Sequence, residues 1–175
     1  MLSLRRTVLT MVLFFMFLPV LCVAMHSASA ETQTETIFKE DFETGWGDWY
    51  ADNGLWETGS GVHNDSQCIG TVFSGSQYPS STDSRLISPS ITLSNVTGDE
   101  ELSLRFWQWF AYNSGDAGYV QISVFDDSTS KWSDWTTIGK SIVNSSRLWS
   151  VTRVDLNEYA GKKVRIGFYH TADVY

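Results

Sequence analysis

Three stretches of this chain alternate apolar and polar residues with a period of two, and no stretch after residue 30 sustains the three-and-four spacing of a helix. In Leu102-Ser103-Leu104-Arg105-Phe106 the apolar side chains share one face. Gly118-Tyr119-Val120-Gln121-Ile122-Ser123-Val124 and Lys163-Val164-Arg165-Ile166-Gly167-Phe168 repeat the pattern. A strand turns successive side chains to opposite faces, so such a pattern buries one face and wets the other, as antiparallel sheets do. Less regular strands are expected over Thr36–Phe42, Gly70–Phe73, Arg85–Leu93, Trp135–Ile142 and Trp149–Leu156. Between the strands lie turn clusters: Ala51-Asp52-Asn53-Gly54, Asn95-Val96-Thr97-Gly98-Asp99, Asn113-Ser114-Gly115-Asp116 and Asp126-Asp127-Ser128-Thr129-Ser130. Gly, Asn and Asp tolerate the positive φ and local side-chain bonds of tight turns. About eight strands without helical crossovers predict an all-β fold, two antiparallel sheets packed as a jelly-roll sandwich of the concanavalin or galactose-binding kind.

The start of the chain carries a different signal. Arg5 and Arg6 precede an apolar run from Val8 past Pro19 to Ala24, and Ala28-Ser29-Ala30 supplies the small-x-small pattern of a cleavage site. Residues 1–30 therefore read as a secretory leader and residues 31–175 as one domain, exported to the periplasm, cell surface or medium. Pro19 and the cleavage pattern argue against a retained membrane anchor, so no membrane insertion of the mature chain is expected. Cleavage removes Cys22, leaving Cys68 as a lone thiol beside Ile69, Val72 and Phe73, where burial is the expected state.

Charge narrows the partners. The chain has 12 Lys plus Arg against 20 Asp plus Glu, and once Arg5 and Arg6 leave with the leader, 10 basic residues face 20 acidic ones. An acidic chain without a basic patch repels phosphate backbones, which excludes nucleic acid as a ligand.

Motifs for catalysis are missing. No His-Glu-x-x-His occurs, since His63 is followed by Asn64-Asp65 and His170 by Thr171-Ala172. Ser60 and Ser76 have glycine neighbours at the wrong offsets for a nucleophile elbow. Glu40-Asp41-Phe42-Glu43 lacks the spacing of paired glycosidase carboxylates. A dyad of Cys68 with His63 or His170 has only residue types in its favour. The chain reads as a non-enzyme. Asn64, Asn95 and Asn144 open glycosylation-type triplets, which arise often by chance in such loops.

Several segments, taken in order, resemble a group of secreted β-sandwiches. Glu40-Asp41-Phe42-Glu43-Thr44-Gly45-Trp46 is similar to the opening of a MAM-like domain. Arg85-Leu86-Ile87-Ser88-Pro89-Ser90-Ile91, Leu104-Arg105-Phe106-Trp107-Gln108-Trp109, Gly118-Tyr119-Val120-Gln121-Ile122-Ser123 with Trp132, and Tyr159-Ala160-Gly161-Lys162-Lys163-Val164-Arg165-Ile166 behind Val154-Asp155-Leu156 resemble successive strands of its bacterial forms. These forms accompany immune inhibitor A-type (M6) metallopeptidases and cleaved adhesins. The resemblance implies a closing Gly-Trp-Tyr-x-Asp-Asp strand that this sequence does not contain, so the chain is expected to be a fragment lacking its last strand. It also implies a structural calcium held by first-strand and last-strand acids.

Two sets of site residues follow. Asp41 and Glu43, two residues apart, share one face of the first strand while Phe42 turns to the core, and carboxylate pairs of this kind suit calcium; Asp116 is a further candidate ligand. The alternative is a solvated acidic strand end. The second set is aromatic. Trp107 and Trp109 point away from Leu104 and Phe106, Tyr119 and Gln121 away from Val120, and Arg165 and Tyr169 away from Ile166 and Phe168. If these strands are neighbours, one outer face carries Trp107, Trp109, Tyr119, Gln121, Arg165 and Tyr169. Flat rings interleaved with hydrogen-bonding groups suit a glycan, and Trp, Tyr and Arg equally suit a protein partner. A covering loop would make the same residues core. Trp46, Trp49 and Trp56 are expected to plug one end of the sandwich. The expectation is a secreted, non-catalytic adhesion or binding module for extracellular glycan or protein. The alternative is an accessory domain of a longer M6-type metallopeptidase, its catalytic part elsewhere, or a subunit of a surface adhesin.

Overall fold

The computed structural model describes residues 2–11, 30–60, 67–73, 75 and 77–174. Cys22, most of the expected cleavage pattern, His63 and the Asn64-Asp65-Ser66 triplet lie outside them. The described chain is all-β, an antiparallel sandwich whose one departure from strand and loop is a 3-10 turn at Asn157–Tyr159. Among the described residues no helix is long and apolar enough to cross a membrane.

The first sheet contains β1 (Leu2–Met11), β2 (Ala30–Glu40), β8 (Glu101–Gln108) and β12 (Ser150–Asp155), in the order β12-β8-β1-β2. The second is built on β9 (Ala117–Asp126) and β13 (Lys163–Ala172). On one flank β13 pairs β6 (Thr82–Ile87) and β7 (Ile91–Thr92), and β3 (Tyr50–Ala51) extends β6. On the other flank β9 pairs both β10 (Lys131–Trp132) and β11 (Thr136–Ile142), and the sheet curls. A small hairpin of β4 (Glu57–Ser60) and β5 (Gln67–Gly70) stands beside them.

The three strongly alternating segments became β8, β9 and β13, and their apolar faces meet between the sheets. Leu102, Leu104, Val164 and Ile166 are fully buried there, with Val120 and Ile122 almost so. Burying each such side chain contributes roughly 1.5–3 kcal/mol. The residues between them face outward, as alternation requires.

The weaker strands were reshaped by local chemistry. β2 stops at Glu40, whose Oε1 accepts the amides of Asp41 (2.9 Å) and Phe42 (2.8 Å). Phe42 follows at φ 60°, a left-handed turn that sends its ring into the core against Trp49, 5.3 Å away. Strand pairing therefore ends before Asp41 and Glu43. The expected Arg85–Leu93 strand divides at Ser88-Pro89-Ser90, because proline cannot donate to a ladder. Ser88 bridges the gap: its amide donates to Ile166 O at 2.9 Å, and its Oγ accepts Ile166 N at 2.9 Å. In β11 the register shifts between Ile138 and Ile142, with Gly139 at φ 75°. The expected Gly70–Phe73 strand sits earlier, at Gln67–Gly70. Trp49 is buried, and Trp46 and Trp56 pack partly buried against the core.

The segment Leu2–Met11, read above as the start of an export leader, is placed as β1 between β8 and β2. Leu2 and Leu4 face the core, Leu4 with no exposed surface.

Candidate functional site

The sandwich is open at one end. There β8 runs out into residues 109–116, the β4–β5 hairpin stands opposite, and a cleft of about 1060 Å³ lies between. Its floor includes Phe42, Leu86, Phe106 and Phe168, which are core residues viewed from the end. Trp107, Trp109, Phe110 and Tyr112 line one side, Trp56, Ile69 and Phe73 the other, with Tyr119 and Tyr169 from the second sheet. Trp109 is 54% exposed, a large area for an indole. Gln67, Gln77, Gln108 and Asn113 interleave the rings. Asp41 and Glu43 also line the cleft, and among the described residues no Lys, Arg or His does. Trp56 Nε1 is buried with no hydrogen-bond partner.

Four of the six predicted aromatic-face residues thus meet at this cleft: Trp107, Trp109, Tyr119 and Tyr169. They do not meet as expected. Trp107 lies in the first sheet and Tyr119 and Tyr169 in the second, so no single outer face carries all six. Tyr119 and Tyr169 are directly opposed in the β9–β13 ladder, ring centroids 6.2 Å apart.

Gln121 and Arg165 belong to a different arrangement, on the outer face of the second sheet. Arg85 lies at its centre. Its guanidinium is 4.9 Å from the Trp135 ring and 4.6 Å from that of Tyr169, close enough for cation–π attraction on both sides. Its Nε donates to Gln121 Oε1 at 2.7 Å and its Nη1 to Asp52 Oδ2 at 2.6 Å. Arg165 sits 4.0 Å over the Trp132 ring, and its Nη1 donates to Tyr50 Oη at 3.2 Å. The polar groups of Gln121 and Arg165 are therefore engaged within the protein. Sequence reasoning missed Arg85, Trp132, Trp135, Tyr50 and Asp52 in this network. Arg85 alternates correctly with Leu86, a signal that it faces outward, but its aromatic neighbours come from loops and edges paired at long range.

Of the candidate calcium ligands, Asp41 and Glu43 share the cleft lining and Asp116 is not among the lining residues. Asp41 forms an ion pair with Lys39 at 3.1 Å, and that contact with the Glu43 amide holds its carboxyl below the usual range. Glu43 Oε2 accepts the Gln67 amide at 3.4 Å. Asp116 is buried and occupied: Tyr78 Oη donates to its Oδ2 at 2.6 Å and the Asp173 amide to its Oδ1 at 2.8 Å. The tyrosine bond keeps its carboxyl below the usual range. No group of three or more His, Cys, Asp or Glu side chains is arranged to hold a metal among the described residues.

Behind the cleft wall His170 is 1% exposed. It stacks on Tyr112 with centroids 5.6 Å apart and meets the edge of Tyr78 at 4.7 Å. Burial pushes its imidazole pKa down and the Tyr112 phenol up. Cys68 lines the cleft and His170 does not, and burial pushes the thiol pKa up.

No protein-family model, curated protein or solved structure matches this chain.

Proposed function

We propose that this chain is an exported, non-catalytic MAM-like binding module that holds a neutral glycan in the end cleft. One observation carries the reading: aromatic rings from two sheets and two carboxylates line a single cleft, and among the described residues no basic side chain joins them. Sugar rings present a C–H face that stacks on indole and phenol, and their hydroxyls need acceptors and donors around the rim. Asp41, Glu43 and the glutamine amides supply acceptors, and Trp56 Nε1 is a buried donor without a protein partner. The two carboxylates disfavour phosphorylated, sulfated or uronic sugars. Open concave sites with a few placed polar groups are where ligands bind in most proteins.

A glycan array probed with the exported protein tests this, with Trp109→Ala as the control. Neutral oligosaccharides should score and lose their signal in the variant. Binding to matrix proteins alone would favour the protein-partner reading, for which exposed Trp109 is a suitable anchor. An accessory role beside an M6-type metallopeptidase rests on the sequence resemblance and is tested by asking whether the adjoining coding sequence supplies His-Glu-x-x-His.

A further inference from the structure

In the first sheet, β2 is hydrogen-bonded to β1 alone, and β8 lies between β12 and β1. Among the described residues every interstrand pairing of β2 therefore runs through Leu2–Met11. Those residues belong to the segment expected to leave on export. Removing them opens a gap one strand wide, with the unpaired N–H and C=O groups of β8 on one side and of β2 on the other. Leu104 and Phe106, opposite Leu4 and Leu2 in the ladder, would lose their cover. Unpaired strand edges flanking apolar surface template the addition of another strand.

The geometry points to a strand-acceptor site: we infer that the processed domain takes up an extended segment of a second polypeptide, antiparallel to β8, in the place of β1. The register specifies its chemistry. Leu2 and Leu4 lie opposite Phe106 and Leu104 and are buried, so apolar side chains are needed at alternate residues. Ser3 lies between them and Arg5 follows Leu4, places where small or polar residues fit. Arg6 donates from Nη2 to Glu100 Oε1 at 2.6 Å and from Nε to Glu100 Oε2 at 3.2 Å, and Glu35 lies 4.0 Å from its Nη1. A basic residue two places beyond the second apolar one is thus favoured, and the acidic chain as a whole attracts a cationic segment. The occupant is a short basic, alternately apolar strand.

The test takes the exported protein, its N-terminus established by mass spectrometry, and a synthetic peptide with the sequence of Leu2–Met11 as the probe. The processed chain is expected to begin at Glu31 and to exchange rapidly the amide hydrogens of Ser103 and Arg105, which face the vacated place. The Leu102 amide, held by Asn157 Oδ1, and the alternate amides facing β12 should stay protected. Peptide at a hundredfold excess over its Kd should slow that exchange and raise the melting temperature by about 5–10 °C. A peptide carrying Leu2→Asp and Leu4→Asp should do neither, and one carrying Arg6→Glu should bind about tenfold more weakly. A processed chain that folds only with peptide present reports the same site through peptide-induced protection. Slow exchange of the Ser103 and Arg105 amides without peptide would overturn the inference, as would an exported protein that retains Leu2–Met11, or equal responses to the Leu-bearing and Asp-bearing peptides.

Discussion

Arg85 lies flat across Gly167: a Cβ at position 167 would come within 2.6 Å of Arg85 Cδ and 2.9 Å of the Trp135 ring. The missing side chain is what lets the guanidinium settle between Trp135 and Tyr169. Gly167→Ala is therefore expected to cost about 1–3 kcal/mol, as overpacking of a filled site does. Urea denaturation measures it. A loss below about 0.5 kcal/mol would mean that the Arg85 stem moves aside freely.

Trp109 separates binding from folding. It lines the cleft and is 54% exposed, so Trp109→Ala should change unfolding free energy by no more than about 1 kcal/mol while removing glycan signal. Leu104→Ala, at a fully buried position facing both β1 and β12, should cost about 2–5 kcal/mol in the full chain. A pair of urea curves distinguishes the two variants, and equal losses would move the Trp109 ring into the core.

His170 sets an acid limit. Burial lowers its folded pKa beneath the ordinary 6.5, so the unfolded chain binds the proton more readily. The stability that neutral His170 confers is complete above pH 6.5 and is lost as pH falls through that value towards the folded pKa. Urea midpoints should decline from pH 7 to 5, with a smaller decline in His170→Asn. Asp116, held low by Tyr78, acts in the separate window below its ordinary 3.8. An unchanged slope in His170→Asn would assign the decline to other groups.

Calcium should have little effect. Lys39 already neutralises Asp41, and both oxygens of Asp116 are taken by Tyr78 and Asp173. Melts in calcium and in chelator are expected to agree within about 1 °C, in line with negligible linkage. A clear calcium-dependent rise that disappears in Asp41→Ala/Glu43→Ala would restore the metal assignment.

The strands with strict alternation were legible because one buried face imposes a period of two on each residue. β8, β9 and β13 emerged for that reason, whereas Phe42 points inward as expected through a left-handed turn and not through alternation. The partners of those strands were not legible. Nothing local in Trp107 or Tyr119 states that β8 and β9 belong to different sheets, since pairing is decided by residues tens of positions away. The rings still converge, because both strands reach the open end of the sandwich, and there the sheet assignment ceases to separate them. Gln121 and Arg165 departed from the cleft for a related reason: Arg85 and Trp132, brought by distant elements, engage them first. Asp41 and Glu43 illustrate a local limit. Glu40 caps the strand end, so Asp41 and Glu43 sit in a turn with a left-handed Phe42 between them and not on a strand face.

The strand register also dictates when this protein can fold. β6 is held by β13 through pairs such as Thr82 with Ala172, and β9 lies against β13 over its inner length. The central strand of the second sheet thus leaves the ribosome after both of the strands it joins. Neither curled sheet nor sandwich can close around a nascent chain that has not reached it, and long-range pairing of this kind is slow even then. The emerging polypeptide stays threadable until Lys163–Ala172 has been made, which is the state a secretion channel requires.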